Sequence, residues 1–373
     1  MGKTYKHPDY ILLAVLIILV ILGILIISSI SASLSLEKFG NTYYFLVHQL
    51  IYGLIPGIIL AILFFKIKLS FLKKWALVLL LINLILLAMV FLPKTGVSSG
   101  GAIRWISVGP VSFQPSEFLK LTFILYLAAW LTSRTTNQRT DGKTAKKGFN
   151  TTLIAFLIVI GSIGLLLYYQ PDISTLVTII FIAGLLYFLA NTPLWHSLFI
   201  ILLGAGGLLA SIQLASYRFN RFLVFLKPET DTLGSGYQIK QALIAVGSGG
   251  IFGLGLGMSR QKFGFLPQTM SDSVFAIFSE ETGFIGSLIL ILLFLILLWR
   301  GFEIIKKTKD KFSQFLALGI TSWIVLQAFI NISSMIGILP ISGSPLPFIS
   351  YGGSHLVAEM AGVGILLNIS NHL

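Results

Sequence analysis

The sequence predicts an all-α polytopic membrane protein with about ten transmembrane helices, and two observations carry this prediction. Of its 373 residues, 56% are hydrophobic and only 10% are charged, whereas soluble domains average about 25% charged residues. Apolar stretches of about 20 residues, long enough to span a bilayer as helices, also recur along the chain. The predicted spans are residues 10–30, 43–64, 75–92, 115–133, 150–169, 172–190, 195–215, 274–299, 313–337 and 353–370.

Two of these spans need separate arguments. The first precedes Ser31-Ala32-Ser33, which is similar to a signal-peptidase site, but its apolar run exceeds the roughly 7–15 residues of a signal peptide. We therefore expect a retained anchor. The fifth and sixth spans meet at Gln170-Pro171-Asp172 with almost no loop, where Pro-Asp reads as a helix start. We expect a single transmembrane domain over residues 1–373.

Lysine and arginine are concentrated in alternate loops, which sets the orientation. Most of the 26 basic residues lie in residues 3–6, 66–74, 134–147 and 300–311, which all face one side if ten helices alternate. Cytoplasmic loops carry this excess, so both termini are predicted to be cytoplasmic. The formal net charge of +13 is then mostly a topology signal, and we expect no nucleic-acid partner.

One predicted outer loop, residues 216–273 between the seventh and eighth spans, is much longer than the others. Long loops are usually functional. Its glycine-rich stretch, residues 247–257, lies among apolar residues and favours re-entrant or interfacial helices that line a protected cavity. Residues 93–114 and 338–352 form two further outer loops. The absence of an evident internal repeat weakens an inverted-repeat transporter.

Three acidic residues, Glu117, Asp172 and Asp272, lie at or near the start of helices that enter the membrane from outside. A carboxylate in the first turn of a helix is favoured by the unpaired N–H groups and the helix dipole. That structural reading suits Asp172, and also Glu117, since Lys120 follows on the same helical face as an ion-pair partner. Their burial near lipid also keeps a functional reading open.

Asp272 differs because no basic residue is closer along the chain than Lys262. A carboxylate at a partly dry interface tends to have a raised pKa, which suits a general base or acid. Glu280 and Glu281 follow about 12–13 Å deeper along the next helix, at 1.5 Å per residue, and are expected to support the site rather than to react.

Cations in the outer loops suit an anionic ligand. Arg and Lys side chains bind phosphate oxygens, so an anionic lipid head group is a natural ligand, although lipid-surface snorkelling is the alternative reading. The long loop contains six such cations, Arg218, Arg221, Lys227, Lys240, Arg260 and Lys262. The chain has no cysteine, which excludes disulfides and thiolate metal sites, and it has no Gly-Lys-Ser/Thr phosphate loop.

An ordered set of motifs resembles the SEDS (shape, elongation, division and sporulation) family, typified by FtsW and RodA, over nearly the whole chain. The clearest are Phe113-Gln114-Pro115-Ser116-Glu117, Gln170-Pro171-Asp172 and Ser350-Tyr351-Gly352-Gly353. Others lie at residues 101–106, 217–218, 225–228, 236–238, 245–250, 266–267, 271–272, 275–276 and 280–281. Residues 255–262 look more like the division (FtsW) branch than the elongation branch.

The resemblance implies a peptidoglycan glycosyltransferase that polymerises lipid II at the outer face of the bacterial cytoplasmic membrane. The implied partners are a class B penicillin-binding transpeptidase and other divisome or elongasome membrane proteins. Asp272 stands where the family has its essential acid, which deprotonates the acceptor sugar hydroxyl. The implied substrate-binding residues are the cations Arg104, Arg218, Arg221, Lys227 and Lys262, together with Glu117, Lys120 and Asp172. The implied supporting residues are Gln268, Glu280, Glu281, Ser350, Tyr351 and Gly352.

The resemblance does not imply a definite cofactor. It leaves open a divalent cation, Mg or Mn, that would stabilise the charge of the leaving group. Gln268 replaces the glutamate usual after Leu-Pro, so a metal held there would lose a ligand. Two other functions stay open from sequence. A flippase for the same lipid precursor would need similar cations, and a division scaffold would need no catalysis. The concentration of acids and cations on the outer side favours the enzyme over a carrier, whose site should lie near the midplane.

Overall fold

The computed structural model describes residues 7–92, 96–99, 102–108, 111–137, 145–190, 194–214, 216–227, 231 and 234–373. Most of these residues are helical, and a helix overlaps each of the ten predicted spans. The helices are α1 (Tyr10–Phe39), α2 (Tyr44–Gln49), a π-helical turn (Leu50–Leu54), α3 (Ile55–Lys66), α4 (Leu69–Met89), α5 (Pro115–Asn137), α6 (Ala145–Tyr169), α7 (Ile173–Leu189), α8 (Leu194–Leu214), α9 (Ser216–Leu226), α10 (Ser235–Ser248), α11 (Val274–Lys307), α12 (Lys311–Met335) and α13 (Gly353–Asn371).

Helix length and hydropathy together support a membrane protein. Among the described residues, five helical segments are long and apolar enough to cross a membrane, and three shorter apolar stretches accompany them. The five are Tyr10–Phe39, Tyr44–Lys66, Leu69–Met89, Val274–Lys307 and Lys311–Met335. The shorter ones are Leu153–Tyr169, Ile173–Leu189 and Leu198–Gly207. The count of ten spans and their orientation therefore stay predictions.

A small antiparallel sheet, which the sequence analysis missed, lies between α4 and α5. Its strands are β1 (Gly96–Ser99), β2 (Ala102–Val108) and β3 (Val111–Phe113), in the order β1-β2-β3. The sequence puts Gly-Gly between the first two strands and Gly-Pro between the last two, and such pairs favour tight turns. The expectation of an all-α chain is corrected to this extent, and Arg104 is on β2.

Helix α12 lies in the core of the bundle, where Trp323 and Ile320 are fully buried. Helix α13 packs closely against α3 because glycines remove side chains from the contact. A Cβ added at Gly364 would lie 2.3 Å from the carbonyl oxygen of Ala61, which is far inside contact distance. Close packing through small residues is the usual way in which membrane helices associate.

The long loop predicted before the eighth span forms α9, α10 and a turn-rich segment, residues 249–273, which leads into α11. Its glycines allow this segment to lie directly on the first turns of α11. A Cβ at Gly249 would come within 2.2 Å of the Ser279 carbonyl oxygen, and one at Gly253 within 2.2 Å of the Glu281 carbonyl oxygen. The glycine-rich sequence thus fixes the loop against the helix that follows Asp272.

Candidate active site at the end of the bundle

A cavity of about 660 Å³ lies between α5, α7, α9 and the segments of residues 268–272 and 339–352. This volume is in the range of about 300–1,000 Å³ that is usual for ligand sites. The cavity brings together residues that are far apart in the chain. The sequence-predicted site residues that line it are Arg104, Glu117, Lys120, Asp172, Arg221, Gln268, Asp272, Tyr351 and Gly352.

Asp272 lies in the last turn before α11, and its backbone and side chain have different environments. The side-chain amide of Asn331 on α12 donates to the Asp272 carbonyl oxygen at 2.8 Å. The carboxyl itself lines the cavity, where a Cβ added at Gly343 would lie only 3.4 Å from it. Desolvation raises the pKa of the Asp272 carboxyl, against the opposing positive charges of Arg221 and Arg104. A carboxylate with a raised pKa is a better proton acceptor.

The loop before Asp272 is held from the segment that precedes α13. The Ser350 hydroxyl donates to the Ser271 carbonyl oxygen at 2.6 Å, and the Tyr351 N–H donates to the Met270 carbonyl oxygen at 2.7 Å. Ser350 also accepts the Leu346 N–H at 2.8 Å, which fixes its own position. Two of the residues predicted to support the site, Ser350 and Tyr351, therefore contact the Asp272 loop directly.

Gln268 forms the turn that precedes Asp272. Its φ of +54° is in the left-handed region, which is uncommon for a residue with a side chain. Its carbonyl oxygen accepts the N–H groups of Ser271 and Ser273, both at 3.1 Å. Its side-chain oxygen accepts the Ser271 hydroxyl at 3.0 Å. The glutamine thus organises the turn through neutral hydrogen bonds.

Two arginines line the cavity from separate elements. Arg104 on β2 donates to the carbonyl oxygens of Gln170 at 3.1 Å and Pro171 at 2.5 Å, which orients its guanidinium across the junction of α6 and α7. Arg221 on α9 donates to the Ile341 carbonyl oxygen at 3.3 Å. A pair of positioned guanidinium groups beside a cavity of this volume suits a phosphorylated ligand.

Asp172 caps α7. Its carboxylate accepts the Thr175 N–H at 3.2 Å, the Thr175 hydroxyl at 3.0 Å and the Ser116 hydroxyl at 2.8 Å. Glu117 accepts from Lys120 at 2.8 Å in a buried ion pair on α5. Both acids therefore have the local partners that the structural reading of the sequence expected, although both also line the cavity.

Several predicted site residues lie away from the cavity. The Lys262 ammonium is buried and pairs with Glu281 at 3.1 Å. Glu280 accepts the Ser259 hydroxyl and the Arg260 N–H, the latter at 3.1 Å, so both glutamates fix the loop of residues 257–262. Lys227 is exposed after the end of α9. The side chain of Arg218 lies outside the described residues.

The cavity is also lined by residues to which the sequence analysis assigns no role, among them His355 and Gln238. His355 on α13 lines the cavity, and its ring nitrogen lies 3.0 Å from the Ser350 carbonyl oxygen. Its position one residue after Ser354 carried no signal, because the contact depends on how α13 packs against the preceding loop. Gln238 on α10 also lines the cavity and donates to the Ser273 hydroxyl at 3.0 Å.

Comparisons with known proteins agree across the full length. The family model FtsW/RodA/SpoVE, described as "Cell cycle protein", matches residues 9–373. Stage V sporulation protein E of Bacillus subtilis is 38% identical, with 100% of this chain and 99% of the relative covered. A probable peptidoglycan glycosyltransferase FtsW of Trichlorobacter lovleyi is 36% identical over 99% of this chain and 95% of its own.

Solved structures give the same result. A chain of a peptidoglycan synthase complex, studied for its coordination of polymerization and crosslinking, superposes with a TM-score of 0.76 at 26% identity, covering 98% of both chains. The rod shape determining protein RodA of Thermus thermophilus superposes with a TM-score of 0.68 at 25% identity, covering 97% of this chain and 96% of RodA.

Proposed function

The chain belongs to the FtsW, RodA and SpoVE family and is a peptidoglycan glycosyltransferase, and we propose that it polymerises lipid II at the cavity that holds Asp272. The observation that carries this proposal is the arrangement of one carboxyl with a raised pKa and two arginines around a cavity of about 660 Å³. This arrangement supplies a proton acceptor beside a site for a phosphorylated leaving group.

In the proposed reaction, the Asp272 carboxylate accepts the proton of the acceptor sugar hydroxyl. The hydroxyl oxygen then forms a bond to the anomeric carbon of the donor, with inversion, while the bond from that carbon to the pyrophosphate breaks. Negative charge develops on undecaprenyl pyrophosphate as it leaves. Arg104 and Arg221 are positioned to stabilise this charge, and such stabilisation of a developing charge is a major part of catalysis in most enzymes.

We propose that no metal ion is held beside Asp272. In the part of the chain that the structure describes, no group of three His, Asp or Glu side chains is arranged to hold a metal ion. Gln268, on the same turn as Asp272, offers a neutral amide that already accepts the Ser271 hydroxyl, whereas Mg²⁺ and similar hard cations prefer carboxylates. We therefore assign no step to a divalent cation.

The partner is proposed from the structural neighbour. That neighbour is a chain of a complex that coordinates polymerization and crosslinking. By analogy, this chain works with a class B penicillin-binding transpeptidase, within the division machinery or the elongation machinery. The motif of residues 255–262 favours division.

The test is polymerisation of purified lipid II by the full chain, co-purified with its transpeptidase, with glycan products resolved on a gel. We expect polymer from the wild type and a rate lower by about 10²–10⁴ for Asp272→Asn, the usual contribution of general base catalysis. Wild-type protein that makes no polymer but moves fluorescent lipid II across liposome membranes would replace the enzyme with the flippase.

The proposed topology has ten spans, cytoplasmic termini and the residue 216–273 loop outside the cytoplasmic membrane. Because the chain has no cysteine, single cysteines can report each side. Arg260 in the long loop and Lys306 at the end of α11 are both exposed. A membrane-impermeant thiol reagent should label Arg260→Cys in intact spheroplasts and Lys306→Cys only after permeabilisation. Labelling of Lys306→Cys in intact spheroplasts, with Arg260→Cys labelled only after permeabilisation, would show the opposite topology.

A further inference from the structure

Glu359 is a buried carboxylate that the proposed reaction does not use. It lies on α13 with 0% of its surface exposed, and it is not among the residues that line the cavity. A buried polar group is costly unless hydrogen bonds compensate for its lost hydration. Its hydrogen-bond partners therefore indicate why a carboxylate occupies this position.

Both carboxylate oxygens accept hydrogen bonds from groups outside α13. One oxygen accepts the backbone N–H of Phe348 at 2.9 Å, and the other accepts the side-chain amide of Gln327 at 3.3 Å. The Phe348 N–H is a main-chain donor in the segment that crosses the end of the bundle. A buried main-chain N–H that loses its acceptor costs free energy, so this hydrogen bond attaches that segment to α13.

Gln327 is oriented so that its amide group donates a hydrogen bond to Glu359. The side-chain oxygen of Gln327 accepts both the Lys120 ammonium at 2.8 Å and the Trp323 indole N–H at 2.9 Å. Its amide group must then face away from those donors, and it donates to the Pro345 carbonyl oxygen at 3.1 Å as well as to Glu359. The carboxylate thus completes a network that begins at the cavity residue Lys120.

Phe348 is held in an unusual conformation. Its φ of +64° is in the left-handed region, which side chains other than glycine rarely adopt and which persists only where the surroundings enforce it. The Phe348 carbonyl oxygen lies against Gly23 of α1, where an added Cβ would be only 2.3 Å away. Glu359 contacts the N–H of the same residue, so the turn is fixed on both sides.

The turn at Phe348 sets the position of the residues that hold the Asp272 loop. Two and three residues later, Ser350 and Tyr351 donate to the carbonyl oxygens of Ser271 and Met270. His355, one helical turn before Glu359 on α13, contacts the Ser350 carbonyl oxygen at 3.0 Å. The main chain of residues 348–351 therefore connects Glu359, bonded to the Phe348 N–H, with the backbone of residues 270 and 271, bonded to Tyr351 and Ser350.

We infer that Glu359 is a positioning residue for Asp272, acting by fixing the left-handed turn at Phe348 that carries Ser350 and Tyr351. The inference rests on the proposed function, because it assigns Glu359 to the reaction of Asp272. Glu359 sets where the Asp272 carboxyl lies relative to the acceptor sugar, and it does not contact the substrate.

The experiment compares Glu359→Leu, which removes both acceptors at similar volume, with Glu359→Gln, which keeps one acceptor oxygen. In the lipid II polymerisation assay, Glu359→Leu should lower kcat on the order of 10²-fold, the usual effect of misplacing a reacting group by about 1 Å, with KM for lipid II changed by less than about threefold. Glu359→Gln should retain a clearly higher kcat than Glu359→Leu, because its oxygen can still accept the Phe348 N–H.

Asn368 provides a matched control on the same helix. It is also buried and also holds a neighbouring segment, since its amide donates to the carbonyl oxygens of Phe64 at 2.8 Å and Ile67 at 2.6 Å. Asn368→Leu removes these bonds at the opposite end of α13 from the cavity. It should lower stability as Glu359→Leu does and leave kcat close to that of the wild type.

Amide hydrogen exchange gives a second measurement that does not depend on activity. Peptides that cover residues 266–273 and 346–352 should exchange faster in the Glu359 variants than in the wild type, and at the wild-type rate in Asn368→Leu. If Glu359→Leu does not fold, the comparison of Glu359→Gln with the wild type in exchange and kcat decides the question.

The outcomes separate this inference from the proposed function. Wild-type protein that makes polymer, together with a Glu359→Leu variant of unchanged kcat and unchanged exchange at residues 266–273, overturns the positioning role alone. Equal losses for Gln and Leu also overturn it, because the acceptor oxygen for the Phe348 N–H would then not be what positions Asp272. A wild type that makes no polymer overturns the proposed function instead.

Discussion

The starts of α7 and α11 look alike in sequence and differ in structure. Each has an aspartate next to the first turn, Asp172 and Asp272. The Asp172 carboxylate caps its helix and accepts further hydrogen bonds from the hydroxyl groups of Ser116 and Thr175. The N-cap of α11 is Ser273, whose side chain makes no capping bond. Asp272 precedes that cap, and its carboxyl lines the cavity.

The difference shows how an acid at a helix start becomes available for chemistry. Local N–H and hydroxyl donors stabilise the charged form of a carboxylate and lower its basicity. The turn at Gln268 places Asp272 one residue before the N-cap of α11, where its carboxyl does not accept the first N–H groups of the helix. Asn331 holds the backbone of Asp272 instead. The Asp272 residue is thus held through its main chain, and its carboxyl, which has the Ser271 hydroxyl as a donor, faces the cavity.

The most direct way to break the comparison is to make the same substitution at both positions. Asparagine can still cap a helix but does not accept a proton as a carboxylate does. We expect Asp272→Asn to lower the polymerisation rate by about 10²–10⁴ and Asp172→Asn to lower it by far less, in the gel assay with lipid II. Equal losses at the two positions would show that Asp172 also takes part in the chemistry.

Glu117, the third acid predicted from sequence, sharpens the comparison because it depends on an ion pair rather than on a cap. Lys120→Met would leave a buried, unpaired carboxylate and should lower the free energy of unfolding by about 3–5 kcal/mol, measured by thermal unfolding in detergent. The double variant Glu117→Gln/Lys120→Met removes both charges and should recover most of this loss. If it recovers none, the packing of Lys120 against Trp323 rather than the ion pair is what stabilises the site.

The parts of the site that were predicted from sequence are those encoded by local patterns. Hydrophobic length located the helices, and the neighbouring lysine identified the Glu117 ion pair. The placement of Lys262 depended instead on Glu281, which is nineteen residues away and across a turn-rich loop. No periodic pattern in the sequence indicates this ion pair. The sequence therefore offered no reason to doubt the role of substrate cation that was expected for Lys262.

The contribution of His355 and Glu359 was hidden for the same physical reason. Both lie on α13, and their partners are main-chain groups of residues 348 and 350. Main-chain donors and acceptors are identical in every sequence, so a contact to them leaves no trace in residue identity. The small sheet was missed because its strands are short and its two turns are marked only by Gly-Gly and Gly-Pro.

The charge environment of Asp272 predicts a pH effect. The positive charge of Arg221 opposes the desolvation that raises the pKa of Asp272, so Arg221→Ala should raise that pKa further. A general base acts when deprotonated, and its rate falls as the pH falls through its pKa. The acidic limb of the profile of kcat/KM against pH should therefore move to higher pH in Arg221→Ala and stay in place in Arg221→Lys, which keeps the charge. If the acidic limb does not move in Arg221→Ala, the charge of Arg221 does not influence the pKa of the general base.

The smallest expected effect is on stability, and it has opposite signs at the two aspartates. Asp172→Ala removes a helix cap and should cost about 0.5–2 kcal/mol. The folded-state pKa of Asp272 is raised, so its contribution to stability is present below the unfolded-state pKa and is lost as the pH rises through the folded-state value. Asp272→Ala cannot ionise, and at neutral pH it should unfold at the same temperature as the wild type or higher. A loss of stability at Asp272 equal to that at Asp172 would make both acids structural and would return the catalytic role to another group in the cavity.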